Sequence, residues 1–146
     1  MNWKLEATER LRQYDAMRQA LVNLPEEIRC LEQEAYNLRG KNLERPPGRV
    51  RGCRQEDLLL SNLVHRQELA AALKRTGIWL EITDRALGAL SPEEKLILHR
   101  LYVYPERGSL ERLCADLEVE QSSIYRKRDK ALRKFTCALY GFSDEK

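Results

Sequence analysis

Glycine and proline are scarce in this 146-residue chain, at seven and five, and aromatic residues make up only 7%. No stretch concentrates β-branched and aromatic residues as a strand requires, which excludes a sheet-based fold. No apolar run approaches the roughly 18 residues of a membrane span. The opening MNWKLEATERLRQ lacks the apolar core of a secretory signal. The four cysteines, Cys30, Cys53, Cys114 and Cys137, include no C-x-x-C pair, and neither His65 nor His99 lies near one of them in sequence. That spacing argues against a metal centre and for a reduced, cytoplasmic setting. Cys30, Cys114 and Cys137 are expected to serve as small apolar residues on helix faces.

The signatures of catalysis are missing too. There is no G-x-x-x-x-G-K, no G-x-G-x-x-G and no H-E-x-x-H. Neither histidine has a nucleophile and an acid close by in sequence. No enzymatic activity, catalytic residue, metal or cofactor is expected.

What the chain has in quantity is Leu, Glu, Arg, Lys, Gln and Ala, all good helix formers. The fold class expected is all-α. From Ala7 the apolar positions run Leu11, Tyr14, Met17, Leu21, Leu24, Ile28, Leu31, Ala35 and Leu38. From Met17 onward these steps of three and four form a heptad seam, and the two consecutive threes about Tyr14 shift its register once. Pro25 interrupts the backbone bonding, so either the helix kinks there or a new helix starts with Asn23 as its cap. The segment fits a packed bundle helix or a coiled-coil arm.

Residues 39–54, RGKNLERPPGRVRGCR, collect Gly40, Pro46, Pro47, Gly48 and Gly52 and read as a basic linker. Its arginines suit a solvated loop or an arm that reaches a DNA backbone. A second long helix is expected from Gln55 to about Leu90. Its stripe comprises Leu59, Leu63, Ala70, Leu73, Leu80 and Leu87, widened by Leu60, Val64, Ile82 and Leu90. Thr83 and Asp84 can cap a new turn within it. This helix is long enough to fold back on the first as an antiparallel hairpin or coiled coil.

The strongest local signal is Ser91-Pro92-Glu93-Glu94. Serine at the cap, proline at the first helical position and glutamate at the third make a capping box. A helix is expected from there to about Tyr102, burying Ile97, Leu98 and Leu101. Ser109 is expected to cap a short helix over 110–117, a turn to follow at 118–120, and a last helix to run over about 121–139, stopping before Gly141.

That last helix is the basic one. Arg126, Lys127, Arg128, Lys130, Arg133 and Lys134 crowd into it against a single acid, Asp129, although the net charge of the chain is only +3. Two helices joined by a tight turn, the second basic, outline a helix-turn-helix. The positions where such helices meet are suitably filled by Leu113, Cys114, Leu117, Val119, Ile124, Ala131, Leu132 and Phe135. At 100° per residue, a helix with Ile124, Ala131 and Phe135 facing inward displays Ser122, Arg126, Asp129 and Arg133 on its far side. Tyr125 and Lys130 lie on the flanks. Gln121, Ser122, Tyr125 and Arg126 suit base edges, and Lys130, Arg133 and Lys134 suit phosphates. Asp129, one turn from Arg126 and from Arg133, is placed to orient either guanidinium.

SLERLCADLEVEQSSIYRKRDKALRKF resembles region 4 of bacterial sigma factors, and SPEEKLILHRLYV resembles the helix that precedes that motif. The whole layout is similar to the ArpU and RinA type of phage-encoded transcription regulators. The resemblance implies residues 1–90 as a helical oligomerisation region and residues 91–146 as a DNA-binding domain. It further implies double-stranded DNA as partner, homo-oligomers through the N-terminal helices and a role in late prophage genes. Sigma region 4 also contacts RNA polymerase, so an interaction module that does not itself bind DNA is the alternative, and a small terminase subunit is a third. A complete sigma factor is excluded by length. Three positions depart from the pattern: Glu118 stands where the turn usually has glycine, Glu120 where Ser or Thr caps the second helix, and Lys127 where an aliphatic residue is usual.

Overall fold

The structure, a computed structural model, describes residues 2–43 and 51–142, with side chains over 2–40 and 54–142. Among the described residues the protein is all-α. The order is α1 (Trp3–Leu43), α2 (Arg51–Gly88), α3 (Pro92–Leu98), a π-helical turn (His99–Val103), α4 (Ser109–Leu117) and α5 (Gln121–Tyr140). No helix among the described residues is long and apolar enough to cross a membrane.

Pro25 lies within α1, which neither ends nor restarts there. One lost N–H bond is tolerable in a helix of 41 residues that packs on both sides of the proline. The expected linker is shorter than its composition suggests. α1 runs through Gly40 to Leu43, and α2 begins at Arg51 and includes Gly52. A glycine in a long helix costs about 1 kcal/mol, and neighbouring turns absorb that. Arg45, Pro46, Pro47, Gly48 and Arg49 lie outside the described residues, as does the side chain of Cys53. Thr83 starts no new turn. Its hydroxyl donates back to the Trp79 carbonyl at 2.8 Å, inside an unbroken α2.

The chain forms two compact units, Gln19–Gly77 and Met1–Arg18 with Ile78–Lys146. In the first, Asn62 Nδ2 donates to the Leu31 carbonyl at 2.8 Å and Gln55 Nε2 to the Leu38 carbonyl at 3.5 Å. Ala35 is buried, and Leu24, Ile28, Leu31 and Leu38 are half-buried beside it. Leu21, expected in the same seam, is 40% exposed. On α2 the positions turned inward are mixed: Gln55, Asn62 and Thr76 are buried and Leu59, Leu69 and Leu73 half-buried, whereas Leu60, Leu63, Val64 and Ala70 are exposed. Of the stripe expected for α2, Leu59, Leu73 and Leu80 lie inward, while Leu63 and Ala70, with the flanking Leu60 and Val64, do not. Side-chain amides bonded to α1 carbonyls share the inner side with the half-buried leucines.

In the second unit Arg10 ties α1 to α2. Its Nε donates to Thr83 Oγ1 at 2.6 Å, its Nη2 to the Trp79 carbonyl at 3.2 Å, and its guanidinium stacks 4.7 Å from the Trp79 ring centre. Tyr14 donates to Asp84, and burial together with that carboxylate pushes its hydroxyl up to about 12. A first core cluster joins Ala7 and Leu11 of α1, Ala86 of α2 and Leu90 to Leu98, Val103 and the α5 residues Ala131, Leu132 and Phe135. A second joins Ile97, Leu113 and Ile124, with Leu96, Leu101, Leu110, Cys114, Leu117 and Val119 packed around them.

The capping box at Ser91 forms as its sequence predicts. Ser91 Oγ accepts the Glu94 N–H at 3.2 Å and Glu94 Oε1 accepts the Ser91 N–H at 3.1 Å. Beyond Leu98 the helix widens into the π turn, whose last bond runs from the Tyr104 N–H to the His99 carbonyl at 2.9 Å. Ser109 does not cap α4. It is the first residue of that helix, buried, and its Oγ accepts the Glu106 N–H at 3.1 Å, while Gly108 holds the cap position with φ 78°. Only a residue without Cβ takes that φ cheaply, so glycine and not serine occupies the cap.

Candidate nucleic-acid interface

α4 and α5 are joined by Glu118, Val119 and Glu120 alone. Glu118 takes the left-handed conformation, φ 55° and ψ 44°, and the Val119 N–H reaches back to the Cys114 carbonyl at 3.1 Å. This is the geometry in which a helix C-terminus satisfies its last carbonyls, and the residue two beyond the helix packs against its last turn. Val119 does so within the second core cluster. The turn is thus as tight with glutamate as it would be with glycine, at the cost of about 1–2 kcal/mol for placing a Cβ there. Glu118→Gly is expected to stabilise the protein by about 1 kcal/mol. A urea titration followed by circular dichroism measures this, and an unchanged or lowered midpoint would contradict it.

Glu120 leads into α5 with extended backbone, φ −75° and ψ 160°, and its side chain makes no capping bond. Its carbonyl accepts the N–H groups of Ser123 at 3.0 Å and Ile124 at 3.2 Å. The helix then divides cleanly by face. Ile124, Ala131, Leu132, Phe135 and Thr136 are buried. Gln121, Ser122, Tyr125, Arg126, Lys130, Arg133 and Lys134 are exposed, and Asp129 is half-buried. The inner residues expected to form one motif core in fact serve two. Ile124 packs with Leu113, whereas Ala131, Leu132 and Phe135 pack with the ends of α1 and α2. α5 is long enough, at 20 residues, to reach both.

The basic side chains differ in their engagements. Lys127 Nζ donates to Glu93 Oε1 at 2.6 Å, and Lys134 Nζ to Glu94 Oε1 at 3.1 Å. A charge pair with α3 therefore fills the place where an aliphatic residue was the usual choice. Arg128 donates to Asp129 Oδ1 through Nε at 3.1 Å and Nη2 at 2.9 Å, and its guanidinium lies 4.9 Å from the Tyr125 ring centre. Gln121 Nε2 reaches the Tyr125 hydroxyl at 3.5 Å. Arg126 makes no ion pair among the described residues, and Lys130 lines a small cleft of about 150 Å³ with Ser91, Glu93, Glu94, Ile97 and Lys127.

The Glu93 and Glu94 pairings, and the part Arg128 plays in holding Tyr125 and Asp129, escaped sequence reasoning. The carboxylates lie 34 and 40 positions from their lysines, beyond the reach of any local pattern. Their one visible signal is that both stand in the first turn of a capped helix whose following turn is apolar.

Glu94 is the most consequential of these groups. Burial works to raise its carboxyl, but the Ser91 N–H, the Lys134 ammonium and the Ser91 hydroxyl outweigh it and hold the group below the usual carboxylate range. Oε2 is buried without a partner. A carboxyl depressed on folding contributes stability that is complete above its unfolded value, about 4.3, and is lost as pH falls through the lower folded value. Glu94→Gln is expected to lower stability at neutral pH and to flatten the fall in stability below about pH 4.3. Melting curves from pH 7 to pH 3 would test it; parallel acid limbs for the two proteins would refute it.

A larger groove of about 570 Å³ lies along α3, the π turn and α4, lined by Pro92, Lys95, Leu96, His99, Arg100, Tyr104, Glu106, Ser109 and Arg112. Its arginines are paired, Arg100 to Asp116 at 2.5 Å and Arg112 to Glu106 at 3.2 Å. The cysteine expectation holds for Cys114, half-buried in the second cluster, but Cys30 and Cys137 are exposed. Both stand on the outer faces of their helices.

No protein-family model, no curated protein and no solved structure matches this chain.

Proposed function

We propose that the chain is a sequence-specific DNA-binding regulator of phage or prophage late genes. In this reading α4 and α5 act as a helix-turn-helix of the sigma region 4 type, and α1 and α2 form an antiparallel hairpin that carries oligomerisation. One observation supports it above the others: the outer face of α5 presents Gln121, Ser122, Tyr125, Arg126, Lys130 and Arg133 together, all exposed, on a helix anchored by buried residues on its other side. Rigid display of amide, hydroxyl and guanidinium groups is what base-edge recognition in a major groove needs. Lys134, half-exposed, also ties α5 to α3 through its bond to Glu94.

A second reading has its own support. With Lys127 and Lys134 held by α3 carboxylates, fewer cations are available for phosphate, which favours an interaction module that meets RNA polymerase without gripping DNA itself. Selection of bound fragments from genomic DNA by the purified protein, at about 150 mM salt so that non-specific phosphate contacts are screened, separates the two. An enriched inverted or direct repeat supports the regulator, and its spacing reports the geometry of the oligomer. Weak binding without enrichment supports the interaction module.

A further inference from the structure

The first part of α2 carries apolar residues on two faces. Its inner positions hold Gln55, Asn62 and Thr76, all buried, with half-buried Leu59, Arg66, Leu69 and Leu73 between them, and Arg66 donates through Nε to Asn62 Oδ1 at 2.8 Å. Gln55 Oε1 is buried with no partner. Away from α1 it turns Leu60, Leu63 and Val64, which are 60%, 41% and 45% exposed. Water thus meets three adjacent aliphatic side chains on a helix that keeps amides inside. Such a succession, unlike scattered apolar residues, marks a surface made to be covered.

The outward residues have a spacing of their own. Asp57, Leu60, Val64, Gln67, Ala71 and Lys74 follow one another in steps of three and four, and all six are exposed. This is a second heptad seam, distinct from the one facing α1. It spans about 26 Å of helix. Its charges differ by end: Glu56 and Asp57 at the amino end, with Arg54 just before them, and Lys74 and Arg75 at the carboxyl end. Two copies laid parallel would set Asp57 over Asp57 and Lys74 over Lys74. Two copies laid antiparallel set Asp57 against Lys74, Leu60 against Ala71 and Val64 against Gln67. Each small or polar position then meets a larger aliphatic one, and every acidic end meets a basic end.

We propose that this face of α2 is a two-fold, antiparallel docking surface for a second copy of the same chain. The pattern is self-complementary, as a two-fold interface requires, because one helix must supply both halves of every unlike pair. Leu63 and Ala70 widen the stripe along one edge. The seam that faces α1 stays within the chain. The inference deepens the oligomer assumed under the DNA-binding reading, but its own test uses no DNA.

The experiment is sedimentation equilibrium of the full chain, with helicity followed in parallel. The wild type is expected to be a dimer at micromolar concentration. Leu60→Glu with Val64→Glu is expected to weaken self-association at least about 100-fold without loss of helicity, since both residues are exposed in the single chain. Lys74→Glu with Arg75→Glu is expected to weaken it about 10-fold, and adding Glu56→Lys with Asp57→Lys to restore it. A wild type that remains monomeric, a dimer indifferent to the Leu60 and Val64 substitutions, or a charge reversal that the compensating pair does not rescue would each overturn the proposal. A dimer that passes these tests yet selects no DNA sequence would sink the regulator reading alone. A monomer that selects a sequence would sink this inference alone.

Discussion

Replacing Phe135 with alanine is expected to remove about 3–5 kcal/mol of stability, the cost of deleting a fully buried aromatic ring. Phe135 has no exposed surface, and it belongs to the cluster of Ala7 and Leu11 from α1, Ala86 from α2, Leu90, Leu98 and Val103. Residues from several separate segments share this cluster with Phe135, which is its largest fully buried side chain. Typical domains have about 5–15 kcal/mol in total, so the variant is expected to lose a large share of its margin. Phe135→Leu keeps most of the volume and is expected to cost under about 1.5 kcal/mol. Guanidinium titrations of the three proteins, read by circular dichroism, give the comparison. A loss below about 1 kcal/mol for the alanine variant would mean that Phe135 is not the hub of the core.

Arg126→Ala is expected to weaken binding to the selected DNA by about 1–3 kcal/mol and to relax discrimination at one base pair, with no change in folding. The side chain is exposed on the outer face of α5 and makes no ion pair among the described residues, so its removal leaves no buried charge behind. Its neighbours sharpen the expectation. Arg128 is bonded to Asp129 and stacked on Tyr125, and Lys127 is bonded to Glu93. Arg126 is thus the guanidinium at the amino half of α5 that need break no such pair to reach a guanine. Titrations against the selected site and against single-base variants of it, at one fixed salt concentration, measure both effects. Equal affinity of the alanine variant for the selected site would show that the outer face of α5 does not read bases. Lys134→Ala offers the contrast: it removes the tie to Glu94, so it is expected to act more on stability than on binding.

Local chemistry made some elements legible from the residues alone. The capping box at Ser91 and Glu94 is a contact between residues three apart, so its parts announce it. The buried face of α5 follows from the spacing of Ile124, Ala131 and Phe135, because helical periodicity is set by backbone geometry and not by neighbours. The same holds for Ala7, Leu11 and Ala35 on α1, and for the all-α class, which composition dictates.

Other features depend on partners distant in sequence. Glu118 adopts a left-handed conformation against its own preference because Val119 must reach the second core cluster, and a sequence window shows only that glycine is absent. Ser109 looks like a cap, yet the turn before α4 draws it into the helix and gives the cap to Gly108. Leu60, Leu63 and Val64 look like core and face outward, while Asn62, bonded to an α1 carbonyl, and half-buried Leu59 and Leu69 take the inner side. Lys127 stands where an aliphatic residue is usual, and only the fold shows that Glu93 is brought beside it, as Glu94 is beside Lys134. The sequence by itself determined the helices and, on α5, which side is apolar, since both are written in residue type and a period of 3.6. The tertiary structure alone decided which of the remaining faces and charges are already taken, since hydrogen bonds and ion pairs between elements depend on distances in space that no spacing along the chain encodes.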